Sequence, residues 1–530
     1  MNCVRILLIV LGCLLATASL GTAGDDKKPE KKRKPRFAIG KETTYVTEPL
    51  DADGFPDYVA ALNQRMSKGV TPTNNANVLL WKAFGPHPEG AKMSAEFFQW
   101  MGIRQPPEKG DYFVGVRQFL KESDDKNEPP LEDVLEQVAQ RPWTAKEHPD
   151  IATWLRANAK PLAVTIEATK RSHYYFPLVP ARTKEGGSKG LMTSLVAGVQ
   201  KCRDLSQALM IRAMLAIGEG RHDDAWHDLL ACHRLARLVG TGGTLIELLV
   251  GVAVESMASA GDLVLLESAQ LKSATIKSFL RDLQQLPPRS AMADKIDLCE
   301  RLNFLETVTL LSRHGPAFLE ALAGAPPGKS SNPFAQVGFD NIDWDPAMHN
   351  ANRFYDRMAA ALRIKERPAR EKELELLDIE FKELKAKIMS KSPLEKMFFP
   401  LGISADARGR NLGNILIALL MPALRKVQAA ADRIDQVENN LQLAFALAAY
   451  QREEGNYPAT LDALAPKYLK EVPLDLFSGK PLIYQPSEKG YLLYSVGVNG
   501  KDEGGRSFDD DPPGDDLVVR MPLPALRNQP

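Results

Sequence analysis

Hard oxygen donors crowd one stretch near the C-terminus of this 530-residue chain. Val498-Asn-Gly-Lys-Asp-Glu-Gly-Gly505 is followed by Asp509-Asp-Asp511, and the acidic tail closes on Asp515-Asp516. Calcium takes roughly six to eight oxygens from carboxylates, amide side chains and main-chain carbonyls. Gly500, Gly504 and Gly505 let a backbone fold tightly enough to present them. Asn499, Asp502, Asp509 and Asp511 are therefore the expected ligands and calcium the expected cofactor, with Asp515, farther along, expected to matter less. The competing reading is an acidic, solvated tail with Gly-rich turns.

The other constellations point to chemistry less directly. His222-Asp-Asp-Ala-Trp-His227, with His233 beyond, is the densest group of nitrogen ligands. On a helix, however, His222 and His227 point in different directions, whereas zincin helices converge two imidazoles at a spacing of four. Asp223 and Asp224 fit better as first-turn acids. Asp51-Ala-Asp-Gly54 resembles part of a calcium loop but lacks the other EF-hand ligands, so a turn leading to a helix at Asp57 is expected. Ala323-Gly-Ala-Pro-Pro-Gly-Lys-Ser330 matches a relaxed phosphate-loop pattern. Ala stands for its first Gly and Pro333 falls where a helix should run, so no nucleotide is expected. Trp143, His148, Trp154 and Ser172-His-Tyr-Tyr-Phe176 are expected to pack rather than line a site. No Gly-x-Ser-x-Gly elbow is present. An enzyme is the less favoured reading, and no catalytic residue is assigned.

The elements that must position these residues are mostly helical. Composition is ordinary for a globular protein, at 44% hydrophobic and 25% charged. The 67 basic and 67 acidic residues cancel, so no global field favours nucleic acid. Residues 1–23 read as a signal peptide, with Arg5, the apolar Ile6 to Leu15 and a Gly21-Thr-Ala23 cleavage site. Ala16-Thr-Ala18 is a second cleavage site, and Val10-Leu-Gly-Cys13 an alternative lipid-attachment box. Residues 24–36 form a basic linker, 37–185 an N-terminal helical region and 186–322 a central helical domain. A Pro/Gly-rich loop is expected over 323–350, a charged helix and linker over 351–410, and an α+β domain over 411–530. No span is expected to cross a membrane in the mature chain, since Ile415 to Leu424 falls short of the roughly 18 apolar residues required. Cys202, Cys232 and Cys299 would remain after export; buried free thiols are expected, with one pair left open.

Within the central block, Leu205, Leu209, Ala213 and Ala216 make one stripe and Ala225, Leu229, Cys232, Ala236 and Val239 another. Gly218-Glu-Gly-Arg221 breaks them into a hairpin that resembles a tetratricopeptide-type pair, without a sustained repeat. Leu245 to Ala260 is apolar on nearly every face and should be a central, buried helix. The seam of Leu377, Phe381, Leu384 and Ile388 is expected to dock on the chain's own core.

The C-terminal stretch carries a larger resemblance. An apolar run from Asn414 to Leu424 passes into an amphipathic segment ending near Arg452. Asn456-Tyr-Pro, Val472-Pro-Leu-Asp-Leu-Phe-Ser-Gly479, Tyr491-Leu-Leu-Tyr-Ser495 and the acidic loop follow in order. This resembles the globular part of a type II secretion major pseudopilin, and implies a spine helix, a small antiparallel sheet and a calcium loop. Those relatives carry Asp where this chain has Asn499, which implies weaker binding. Filament assembly does not carry over, because the spine is internal here. The resulting expectation is a mainly α protein, with irregular helical domains followed by a small α+β domain. Its expected role is that of an exported, non-catalytic scaffold or binding protein of the periplasm or envelope, with an unidentified protein partner. The alternatives are an exported hydrolase with its site in the helical region, or an accessory component of a secretion system.

Overall fold

The computed structural model describes residues 34–120, 130–182, 189–194, 196–315, 318, 341–389, 404–420 and 424–525. The expected signal peptide, the alternative lipid-attachment box, most of the expected basic linker and the phosphate-loop-like stretch lie outside them. The chain is mainly α, with one small three-stranded antiparallel sheet near the C-terminus. It divides into two compact units that cut across the segments expected from sequence. One comprises Met1–Ala61, Arg301–Phe354 and Glu380–Met421; the other comprises Leu62–Glu300, Tyr355–Ile379 and Pro422–Pro530.

The first unit holds the Asp51 turn. Asp51 Oδ1 accepts from the amides of Asp53 and Phe55 at 2.9 and 3.0 Å. Arg313 binds both carboxylates and lies over the Phe55 ring. Asp51 and Asp53 thus already have a cationic partner, as a turn preceding the helix Tyr58–Met66 rather than an ion loop. In the same unit Ile415, Leu416 and Ile417 are buried in the helix Ala405–Leu420.

The second unit is built on a helical core. Helices α1 (Val199–Gly218) and α2 (His222–Gly240) form the expected hairpin, with Gly220 turning the chain at φ 75°. Helix α3 (Leu245–Ser268) opens with a capping box in which Thr244 and Glu247 satisfy each other's amides. It is buried on several faces, as its uninterrupted apolar content requires. A Cβ on Gly251 would stand 2.7 Å from the Ala236 carbonyl, so backbones of α2 and α3 meet there without side chains between them. Helices α4 (Ser273–Gln284) and α5 (Leu424–Glu454) complete the core. Trp226 of α2 stacks on Phe279 of α4 at 4.3 Å and meets Phe445 of α5 edge-on at 5.7 Å.

Two boundaries differ from expectation. Thr71-Pro72, with a capping hydroxyl before a proline, reads as a helix start, yet the helix begins at Ala76, capped by Asn75, whose Oδ1 accepts from the Asn77 amide and also from that of Tyr175. Asn caps at least as well as Thr, and here it also ties down a distant strand of backbone. The expected 323–350 loop ends early, because a helix spans Asp345–Leu362. The charged helix runs Arg367–Met389 and buries Leu374 and Leu377, while Phe381 and Leu384 are half-buried.

The sheet has the order β1 (Ile483–Pro486), β2 (Tyr491–Ser495), β3 (Leu517–Met521), with Tyr484 opposite Leu493 and Leu493 opposite Val519. Helix α5 anchors it through a buried amide pair. Gln436 Oε1 accepts from the Leu476 amide, its Nε2 donates to Asn440 Oδ1, and Asn440 Nδ2 donates to the Leu517 carbonyl.

Candidate functional site

The acidic loop leaves β2 at Ser495 and returns to β3 at Leu517. Gly497 sits at φ 66°, and a Cβ on it would lie 2.0 Å from the Asp515 carbonyl, so the two ends of the loop close only over glycine. Asp515 Oδ2 then accepts from the Asn499 amide at 2.8 Å, and Arg433 of α5 donates to Asp515 Oδ1 at 2.7 Å. Asn499 Nδ2 donates to Glu503 Oε1, and Glu503 Oε2 accepts from the Asp515 amide. Asp502 Oδ1 accepts from the Gly504 amide and from the Tyr494 hydroxyl, at 2.8 and 3.0 Å.

Of the four residues singled out from sequence, the structure places Asn499 in this closed ring and Asp502 outside it, on the Gly504 amide and the Tyr494 hydroxyl. Asp509 and Asp511 also lie outside it, and all four are exposed to solvent, while Asp510 turns inward to Ser507 and Arg520. Sequence reasoning passed over Asp516. It is only 2% exposed; its Oδ2 accepts from the Gly505 amide at 2.8 Å, and its Oδ1 is buried with no hydrogen-bond partner. Burial pushes its carboxyl above the usual range against the opposing pull of the Gly505 and Glu503 amides, and the nearby charges of Glu503 and Asp502 add to the rise. An unpartnered buried carboxylate oxygen beside two further carboxylates is a local excess of negative charge. The oxygen donors present suit a hard cation such as calcium. The signal in the sequence was the spacing: Asp515 and Asp516 immediately precede a strand and so must return to the loop's root.

Asp475 is a second residue not singled out. It is buried, accepts from Ser495 Oγ, Ser478 Oγ and the Phe477 amide, and ties the 475–479 turn to the end of β2. The Asp-Leu-Phe-Ser-Gly pattern, with side-chain acceptors beside a glycine, marks such a turn.

The histidines make separate contacts. His148 meets the Trp143 ring edge-on, His173 Nδ1 lies 2.8 Å from Ser172 Oγ, and His227 is exposed. His222 opens α2, and Asp223 and Asp224 fill that helix's first turn. His233 is fully buried between two carboxylates. Trp143, Trp154, Tyr174, Tyr175 and Phe176 are buried, and Cys202, Cys232 and Cys299 are free and buried. A shallow surface depression is lined by Glu96, Gln99 and Trp100. Among the described residues no group of three or more His, Cys, Asp or Glu side chains is arranged to hold a metal by those side chains alone. A cation in the C-terminal loop would therefore draw part of its shell from carbonyls and water. The chain matches no protein-family model, no curated protein and no solved structure.

Proposed function

We propose that this chain is an exported, non-catalytic binding or scaffold protein whose pseudopilin-like C-terminal loop takes up calcium and is stabilised by it. The observation that carries the reading is Asp516, a buried carboxylate with one oxygen unpartnered and with Asp502 and Glu503 close by. Asp516, Asp502 and Asn499 would hold the ion, while Asp515 is engaged by Arg433 and braces the loop. Asp502 is near enough for its charge to act on Asp516, whereas Asp509 and Asp511 would contribute through water or at the rim.

A ligand that binds only the folded chain adds RT ln(1 + [L]/Kd), about 2.7 kcal/mol at a hundredfold excess over Kd. The full chain should therefore melt higher in millimolar calcium than in chelator, and magnesium should substitute poorly. Asp516→Asn should abolish most of the difference and Asp509→Ala only a small part of it. Identical melting in calcium and chelator would show the loop to be an acidic tail. Export is tested separately, by the N-terminal sequence of the mature protein, which should begin at Gly24.

A further inference from the structure

At the centre of the second unit, His233 of α2 lies between two acids of α3. Its Nδ1 is 3.0 Å from Glu255 Oε1 and its Nε2 is 2.8 Å from Asp262 Oδ2. All three side chains are buried. An ionised carboxylate can only accept, so with Glu255 and Asp262 both ionised, satisfying both contacts requires a proton on each ring nitrogen. A neutral imidazole has one N–H; its other nitrogen would turn a lone pair toward a carboxylate in a site closed to water. Glu255 and Asp262 are seven residues apart, two turns of one helix, which puts both on the face that meets α2.

The surroundings reinforce the demand for positive charge. Arg237 of α2 bridges Glu255 to Glu438 of α5, and Arg289 binds Glu438 and Asp435. From α1, Arg212 is taken up by Asp228 of α2 through two hydrogen bonds. Cys232, beside His233 in sequence, is a thiol that burial pushes well up and keeps neutral. Asp282 of α4 accepts from the Trp226 indole, and the helix Ala159–Thr169 brings only the exposed Lys160 and Glu167. Without a charge on His233, the arginines alone would face the acids of α2, α3 and α5. Glu255 Oε2 and Asp262 Oδ1 already lack partners.

We propose that His233 is held as an imidazolium that latches α2 to α3 through Glu255 and Asp262, and that alkali releases this latch. Burial alone would lower the imidazole's affinity for its proton, but Asp262 and Glu255 override burial and raise its titration to about 10. An unfolded histidine titrates near 6.5. A folded-state value above the unfolded one means the latch contributes fully below about pH 6.5 and is lost as pH rises through about 10.

The test is histidine-selective 15N NMR on the full chain, titrated from pH 5.5 to 10.5, alongside melting temperature over the same range. One of the eight histidines should keep the imidazolium signature of two protonated ring nitrogens beyond pH 8.5. The persistent signal should vanish in His233→Gln. In Asp262→Asn, or in Glu255→Gln if the former does not fold, it should titrate at least tenfold less alkaline in proton concentration. Melting should fall more steeply between pH 9 and 10.5 in the parent chain than in that variant. If all eight histidines are neutral by pH 8, the proposal is overturned whether or not any variant folds. A persistent signal that survives His233→Gln overturns it equally.

Discussion

At the scale of single residues, several buried charges find their partners far away in sequence. Asp432 of α5 shows this. Its side chain is 3% exposed and accepts from Arg370 at 2.7 Å through both oxygens, from Arg367 and from Gln428 Nε2. Arg367 also lies over the Phe477 ring at 4.5 Å. Removing one partner of such a pair strands the others in low dielectric and typically costs about 3–5 kcal/mol. Asp432→Ala should therefore shift the urea midpoint sharply downward. Asp432→Asn, which keeps the shape and an acceptor oxygen, should cost distinctly less. Equal midpoints for Asp432→Ala and the parent chain would show the cluster to be energetically idle. None of this was legible in the sequence, because Arg370 is more than sixty residues from Asp432 and both look like ordinary surface charges. His233 was legible in part. Grouped with His222 and His227 it belonged to the densest set of possible metal ligands, whose spacing argues against a metal; its partners, Glu255 and Asp262, sit on the next helix at a seven-residue spacing that only a known α2–α3 register makes meaningful.

Between elements, periodicity carried far. The two stripes ending at Ala216 and beginning at Ala225 became α1 and α2, and the break at Gly218 to Arg221 became their turn. The all-round apolar Leu245 to Ala260 became α3, which by length and composition alone also resembles a membrane span. Glu247, Glu255 and Asp262 mark the difference, since each is buried beside a polar partner from the same unit. Helix contact, unlike helix position, depends on the third dimension. Gly251 reads as a weak point in a helix until Ala236 and Gly240 are seen pressed against it. Gly251→Val should force α2 and α3 apart and lower stability by about 1–3 kcal/mol, the usual cost of overpacking a fitted core. Gly251→Ala should cost less than Val but more than Gly→Ala at an exposed helix site, where Ala stabilises. Thermal melting of the two variants checks the order; a stabilised Gly251→Ala would mean the close approach is loose.

For the whole molecule, the sequence told the fold class and the order of elements, but not how the chain is divided. A terminal α+β segment with its own spine, turn and sheet reads as a separable module. The structure joins it to the helical core instead: Phe445 of α5 packs on Trp226, and Lys277 of α4 pairs with Glu453 of α5. Beyond β3, the Leu523 amide donates to Glu267 Oε1 and the Pro524 carbonyl accepts from Arg141. Local patterns cannot reveal this, because the apolar face of α5 looks the same whether it covers its own sheet or α3 and α4 as well. Its burial needs both. Leu441, Leu443, Phe445 and Leu447 are all under 4% exposed in the intact unit, and burying a large apolar side chain contributes about 1.5–3 kcal/mol. Loss of even part of that cover exceeds what a three-stranded sheet on one helix can spare, given net stabilities of about 5–15 kcal/mol for entire domains. Residues 422–530 expressed alone should accordingly aggregate or show no cooperative melting, with or without calcium. Co-expression with residues 34–389 should restore a soluble, cooperatively melting complex. A soluble 422–530 fragment that melts cooperatively within a few degrees of the full chain would refute this, and would show that the α5 face is sealed by the sheet alone.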